Sequence, residues 1–330
     1  MSRLTLTLLL FTLPCLGSFQ TDYLKALEMG QEKELPILMF FNGSDWSGLA
    51  MKMKNEIFSS SEFEEEIADQ LICVEVDFPR HHKLSDQATM QNQRLLEEYG
   101  ISQFPTLVLI DPTKREIARM GYMPEGAKQL ANDFLNLLSL DRDLHVLADK
   151  IETLTSEELI RGYKTAVELQ QNKEIANFLE VGARSIEPAF FLVEQYRMLI
   201  EGDKANTAEA EAIRDRLFKA DPNNELGHLF TIALLDFQAR SSLEKRLLPE
   251  EVIKPLEEYL ASFGDQDKEN IWQIEMMIAQ VFLEQDEWRL ALEHAQTAYN
   301  SAPIERQSEM EHSLRYIKDQ ANQTASIIVD

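Results

Sequence analysis

The sequence predicts two parts, an α/β domain of about one hundred residues followed by an all-α domain of stacked helix pairs. Three observations carry that division. From residue 36 to about residue 138, short apolar runs alternate with amphipathic stretches. After Leu140 the β-rich runs stop, and helix-period patterns continue to about Asp319. Within that helical part, two polar breaks place proline in a similar setting: Lys219-Ala220-Asp221-Pro222-Asn223-Asn224 and Tyr299-Asn300-Ser301-Ala302-Pro303.

Each element follows from its residues. The run Pro36-Ile37-Leu38-Met39-Phe40-Phe41, closed by Asn42-Gly43, reads as a strand buried on both faces. Residues 46–58 carry apolar positions at helix spacing, Met53 and Ile57 among them, and residues 62–71 continue in that vein. Leu71-Ile72-Cys73-Val74-Glu75-Val76-Asp77-Phe78 is rich in β-branched residues and stops at Pro79, which predicts a second central strand. A helix over 86–99 ends at Gly100, a residue that tolerates the left-handed conformation of a helix C-terminus. Strands over 106–110 and 116–120 flank the turn Asp111-Pro112-Thr113-Lys114, and a helix over 125–138 closes the domain. The expected order is β-α-β-α-β-β-α.

In the helical part, taking Pro303 as the end of a 34-residue tetratricopeptide unit puts Ala279, Phe282, Ala291 and Ala298 on that unit's small and aromatic packing positions. Pro188 with Ala176 and Ala183, and Pro222 with Ala210, fit more loosely, and Trp272 falls three positions early. Small residues at such spacings let paired helices approach closely and stack on the next pair.

Composition limits what the chain does. Its 330 residues hold 32 basic and 57 acidic side chains, a formal net charge of -25. A surface this acidic repels phosphate backbones, so nucleic acid is not an expected partner. Cys15 and Cys73 are the whole cysteine complement, too few for a disulfide scaffold or a cysteine zinc cage. At the N-terminus, Arg3 is the only charge among the first twenty-one residues, and an apolar run from Leu4 to Leu13 precedes the small residues Gly17 and Ser18. That run suits a signal-peptide core and is too short to cross a bilayer. The expected organisation is a signal peptide over 1–18, the α/β domain over 19–140 and the helical-repeat domain over 141–330, in a protein exported to the periplasm or cell envelope without stable membrane insertion.

Two segments carry the functional question. Phe41-Asn42-Gly43-Ser44-Asp45-Trp46-Ser47-Gly48-Leu49-Ala50-Met51-Lys52-Met53 lies where the first long strand turns into a helix, and Gly100-Ile101-Ser102-Gln103-Phe104-Pro105-Thr106 sets an X-Pro-Thr at the start of a later strand. With Val76-Asp77-Phe78-Pro79 and Arg119-Met120-Gly121-Tyr122, these segments resemble exported bacterial thioredoxin-like proteins of the disulfide-isomerase type, over residues 20–138. The resemblance implies a thioredoxin fold and a Pro105 in the cis form facing the helix N-terminus. It also implies a redox pair two residues apart at that helix start, where the helix end lowers the first thiol's pKa and the second thiol resolves a mixed disulfide.

The departure from the family is at that pair. Ser47 stands in the first redox position and Ala50 in the second. A serine hydroxyl is not ionised at neutral pH and forms no disulfide, so the fold is retained while the dithiol step is lost. Phe40 and Phe41 occupy the neighbourhood where such proteins carry a buried acid for proton transfer. Cys73, inside a strand expected to be buried on both faces, reads as an inert small hydrophobe. Ser47 has no neighbouring histidine in sequence and no Gly-x-Ser-x-Gly elbow, so hydrolytic use is not expected. His81-His82 reads as a solvated loop, and Glu62-Phe63-Glu64-Glu65-Glu66 as a solvated helix face.

What the resemblance leaves is a surface for polypeptide. Trp46, Gly48, Leu49, Phe104, Pro105 and Thr106 are the expected lining of an apolar groove that holds an extended client. The leading expectation is a redox-inactive, protein-binding or chaperone-like module with no cofactor and no metal, its partners being exported or unfolded polypeptides and envelope proteins bound by the helical repeats. Two alternatives stand beside it: a glutathione-binding or transferase-like enzyme using Ser47, and a structural adaptor acting through the helices alone.

Overall fold

A computed structural model describes residues 19–242 and 247–328; the expected signal peptide, with Cys15, lies outside them. In chain order the elements are α1 (Tyr23–Lys33), β1 (Ile37–Asn42), α2 (Gly48–Met53) with a π-helical turn (Lys54–Phe58), α3 (Ser61–Ile67), β2 (Ile72–Asp77), α4 (Asp86–Glu98), β3 (Thr106–Ile110), β4 (Glu116–Met120) and α5 (Ala127–Ala148). They continue as α6 (Ser156–Glu168), α7 (Asn172–Gly182), α8 (Ala189–Glu201), α9 (Ala208–Ala220), α10 (His228–Ser241), α11 (Pro249–Phe263), α12 (Ile271–Leu283), α13 (Trp288–Ser301) and α14 (Ile304–Ile328). The described residues form two compact units: one runs to Leu154 and includes Arg161–Ile175, the other holds Thr155–Ile160 and the residues from Ala176 onward.

The first unit is a four-stranded mixed sheet in the order β2-β1-β3-β4, with β1 parallel to β2 and antiparallel to β3. All six residues of β1 are buried, as its unbroken apolar run predicts for a strand covered on both faces. Side chains alternate across the sheet. Leu38, Phe40, Cys73, Leu107 and Leu109 enter one core with Met53, Phe63, Leu130 and Phe134 of α2, α3 and α5. Ile37, Met39, Phe41, Val74, Val76 and Val108 enter the other with residues of α1 and α4 such as Ala26 and Leu95. Beyond β2, Gln20 forms a parallel bridge to Val74, its N–H on the Cys73 carbonyl and its own carbonyl on the Glu75 N–H, both at 2.8 Å. That bridge covers backbone groups an edge strand would otherwise present.

The expected strands and helices of this unit are all present. One element was not anticipated, α1, capped by Asp22, whose carboxylate accepts from the Lys25 N–H at 3.2 Å. The helix expected over 62–71 is shorter, ending at Ile67, because Leu71 is already buried at the entrance to β2. Within the acidic run, Phe63 is a core residue and only its glutamate neighbours face outward or lie part-buried.

In the second unit, α12 and α13 pack against each other. Ala279, Phe282, Ala291 and Ala298, the positions picked out by the Pro303 alignment, are all buried. Ala183 and Ala210 are buried as well, whereas Ala176 is exposed. Trp272 packs instead on Ala298, Ala302 and Met310. Close approach is also visible at Gly182, where a Cβ would stand 2.3 Å from the Phe191 ring. Among the described residues no helix is long and apolar enough to cross a membrane.

Candidate functional site

The site forms where β1 ends. The chain leaves the sheet at Asn42, turns through Gly43 to Trp46, and begins α2 with Ser47 as its N-cap. The Ser47 Oγ accepts from the Ala50 N–H at 3.4 Å and donates to the Phe104 carbonyl at the same distance. The Phe104–Pro105 bond is cis, as the resemblance implies. The first redox position thus bridges the helix start and the cis-proline loop, but through a serine that is 7% exposed and whose hydroxyl is already engaged on both sides. Ala50, in the second position, is buried in the core beneath. Serine and alanine fit this place for structural reasons: one caps the helix and the other fills space without a polar group.

Aromatic rings build the adjoining surface. The Trp46 indole N–H donates to the Phe78 carbonyl at 2.7 Å, and its ring meets Phe104 edge-on, centroids 5.6 Å apart. Phe104 also lies against Phe78 at 5.2 Å. The Arg80 guanidinium stands over the Trp46 ring, 3.8 Å from its centroid. Gly43 makes room for this arrangement, since a Cβ there would lie 2.4 Å from the indole. Of the expected groove residues, Gly48 and Leu49 are exposed, Trp46, Phe104 and Thr106 are part-buried, and Pro105 is buried. Leu49 is the apolar side chain most open to solvent here, at 50%. Thr106 is turned to the loop, its hydroxyl donating to the Gln103 carbonyl at 2.8 Å.

Two aspartates tie the turn down. Asp77, at the end of β2, accepts from the Ser44 N–H at 2.9 Å and from its hydroxyl at 2.6 Å. Asp45 accepts from the backbone N–H groups of Arg80 at 2.8 Å and His81 at 2.6 Å, with the His82 Nδ1 at 3.3 Å. Loss of hydration pushes the Asp45 carboxyl up, but those two backbone donors and the neighbouring imidazoles outweigh it and hold the group down at about 2. His81 and His82 are exposed, and their ring nitrogens face Asp45. Among the described residues no group of three or more histidine, cysteine or acidic side chains is placed to hold a metal ion.

Below the helix, the sheet face presents Phe40 on β1 and Cys73 on β2, both in the core. Cys73 is fully buried, and burial pushes its thiol far above the ordinary cysteine range. One pleat further along β2, Glu75 accepts from the Lys54 ammonium at 2.5 Å and from the Asn42 amide at 2.7 Å. This polar cluster was not picked out from sequence. Its signal was there, an acid in the middle of a strand whose neighbours Cys73, Val74 and Val76 are buried, but the pairing partner Lys54 lies in the π-helical turn.

A strand running into a capped helix, with a cis-proline loop facing the cap, defines the class of this unit as a thioredoxin-like domain. A family model described as a thioredoxin-like domain matches residues 23–134. The thioredoxin-related protein DsbJ of Chlamydia pneumoniae is 38% identical over 304 residues, which cover 91% of this chain and 87% of that protein. The disulfide bond reductase DsbH of the same organism is 37% identical over 119 residues, 36% of this chain and 72% of the relative. A solved structure of DsbH oxidoreductase shares 36% identity, spanning 40% of this chain and 93% of that one with a TM-score of 0.36. The chain belongs to the family of the thioredoxin-related protein DsbJ.

Proposed function

We propose that this protein is an exported thioredoxin-fold module that grips extended polypeptide beside the cis-proline loop and performs no dithiol exchange of its own. One observation carries the reading: the redox positions hold Ser47 and Ala50 while the cap, the cis peptide and the aromatic surface around them are retained. Exchange requires a thiolate that reaches its target and a second sulfur to resolve the product. Cys73 is fully buried, and among the described residues no second cysteine stands with it. The disulfide reduction for which DsbH is named therefore does not transfer with the fold. Export is supported by the apolar run behind Arg3. Buried alanines at the tetratricopeptide spacing support a repeat-like second unit, to which this reading gives the envelope partners. The Ser47 hydroxyl, buried and hydrogen-bonded on both sides, speaks against its use as a ligand for the glutathione thiol.

The test is site-specific cross-linking in the full-length protein with a photoreactive residue at Leu49, the exposed position beside the cap. An unfolded, carboxymethylated model protein should be captured there, and Trp46→Ala should weaken capture. Absence of capture removes the reading, and saturable glutathione binding that Ser47→Ala abolishes would replace it with the transferase-like alternative.

A further inference from the structure

The surface next to Trp46 carries an unspent positive charge in a molecule with a net charge of -25. Several cations of the first unit are committed: Lys54 to Glu75, Arg115 to Asp111 and Asp141, Arg119 to Glu116, Lys128 to Glu66. Arg80 is set apart by its place against the indole beside the cis-proline loop. It is exposed, its backbone N–H is held by Asp45, and its guanidinium rests on the Trp46 ring at 3.8 Å. Among the described residues, no carboxylate or carbonyl accepts from that guanidinium. Lys83, three residues on, is also exposed and has no ion-pair partner among the described residues.

Hydrogen bonds from neutral donors leave a carboxylate's charge in place, but Asp45 meets Arg80 only through its backbone N–H, and Asp77 faces Ser44 and His82; neither pairs with the guanidinium. At physiological ionic strength screening acts over about 8 Å, so the distant acidic surface is damped and the exposed guanidinium is open to direct pairing with a ligand. A guanidinium presents five donors and suits a carboxylate bidentately. Stacking on the indole fixes where those donors are offered and reduces the ordering needed when a ligand arrives.

We propose that the client held at this surface carries a carboxylate next to the residue seated against Trp46 and Phe104, and that Arg80 receives it, making the module selective for acidic extended segments. The inference rests on the polypeptide-binding reading above and specifies its substrate class. Arg80 is a specificity residue here, set beside the apolar contact.

The experiment measures binding of the full-length protein to two labelled peptides by fluorescence anisotropy at about 0.15 M salt. Both peptides share length and apolar content; one carries glutamates where the other carries glutamines. The acidic peptide should bind about tenfold more tightly, the worth of one charged hydrogen-bonded pair. Arg80→Gln should erase that preference, bringing the ratio of the two affinities to about one, and Lys83→Gln should reduce it less. Equal binding of the two peptides, or a preference that survives Arg80→Gln, overturns the acidic selectivity and leaves the groove standing. Failure of both peptides to bind removes the groove itself and the selectivity with it. Circular dichroism of each variant distinguishes a lost contact from a lost fold.

Discussion

Two places on one face of the same sheet divide what dithiol chemistry needs to have together. At the start of α2, the geometry for exchange is present: a capped helix end, a cis-proline loop and an aromatic surface, with Ser47 and Ala50 in place of thiols. On β2, a sulfur is present without that geometry, since Cys73 is fully buried and its thiol is held neutral by burial. Position gives access and a helix end to stabilise a thiolate, and burial takes both away. The fold survives because its cores need only volume at both places, which serine, alanine and cysteine each supply.

The largest expected effect tests whether the turn at the first place is built as tightly as it looks. In Gly43→Ala the new Cβ must displace the indole of Trp46, costing about 2–4 kcal/mol from overpacking and the lost hydrogen bond. Urea denaturation checks the figure, and a variant as stable as the parent would mean the indole is not fixed. Cys73→Ser then probes the second place. A hydroxyl buried among apolar neighbours should cost about 1–3 kcal/mol, read in the same assay, while peptide binding stays unchanged. A loss of binding without a loss of stability would give Cys73 a role it lacks in this account.

Ser47→Ala sharpens the comparison from the other side. It removes the cap and the link to the Phe104 carbonyl, a loss of about 1 kcal/mol, smaller than the cysteine change because the site is nearer solvent. The smallest effect concerns the loop that Asp45 anchors. Its carboxyl is held at about 2 in the folded protein against an ordinary value of 3.8. A depressed carboxylate contributes stability that is complete above the unfolded value and is lost as pH falls through the folded one. Thermal melts should therefore show Asp45→Asn flattening the acid limb between about pH 4 and pH 2, with the parent and variant converging at the acid end.

Much of the first unit was legible in sequence because its strands are unbroken apolar runs between turn residues, and Pro105 after Phe104 marked the loop that faces the helix. The helix α1 was missed because its buried face is slight, formed by Tyr23, Ala26, Leu27 and Gly30, two of them small. The contacts of Asp45 with Arg80 and His81 link residues 35 and 36 positions apart through backbone N–H groups, which leave no periodic trace. Glu75 stood out in its strand, but its partners Lys54 and Asn42 lie 21 and 33 positions away and reach it through side chains that only the fold brings together. In the helical unit, buried alanines at repeat spacing were readable, but Trp272 took a place that no repeat pattern assigned it.

The most direct measurement is reduction of insulin by the full-length protein in the presence of a thiol reductant, compared with the uncatalysed rate and with Cys73→Ala. The account requires no acceleration above the reductant alone, for parent and variant alike. Catalysed turnover by the parent would contradict it, and its disappearance in Cys73→Ala would locate the sulfur responsible.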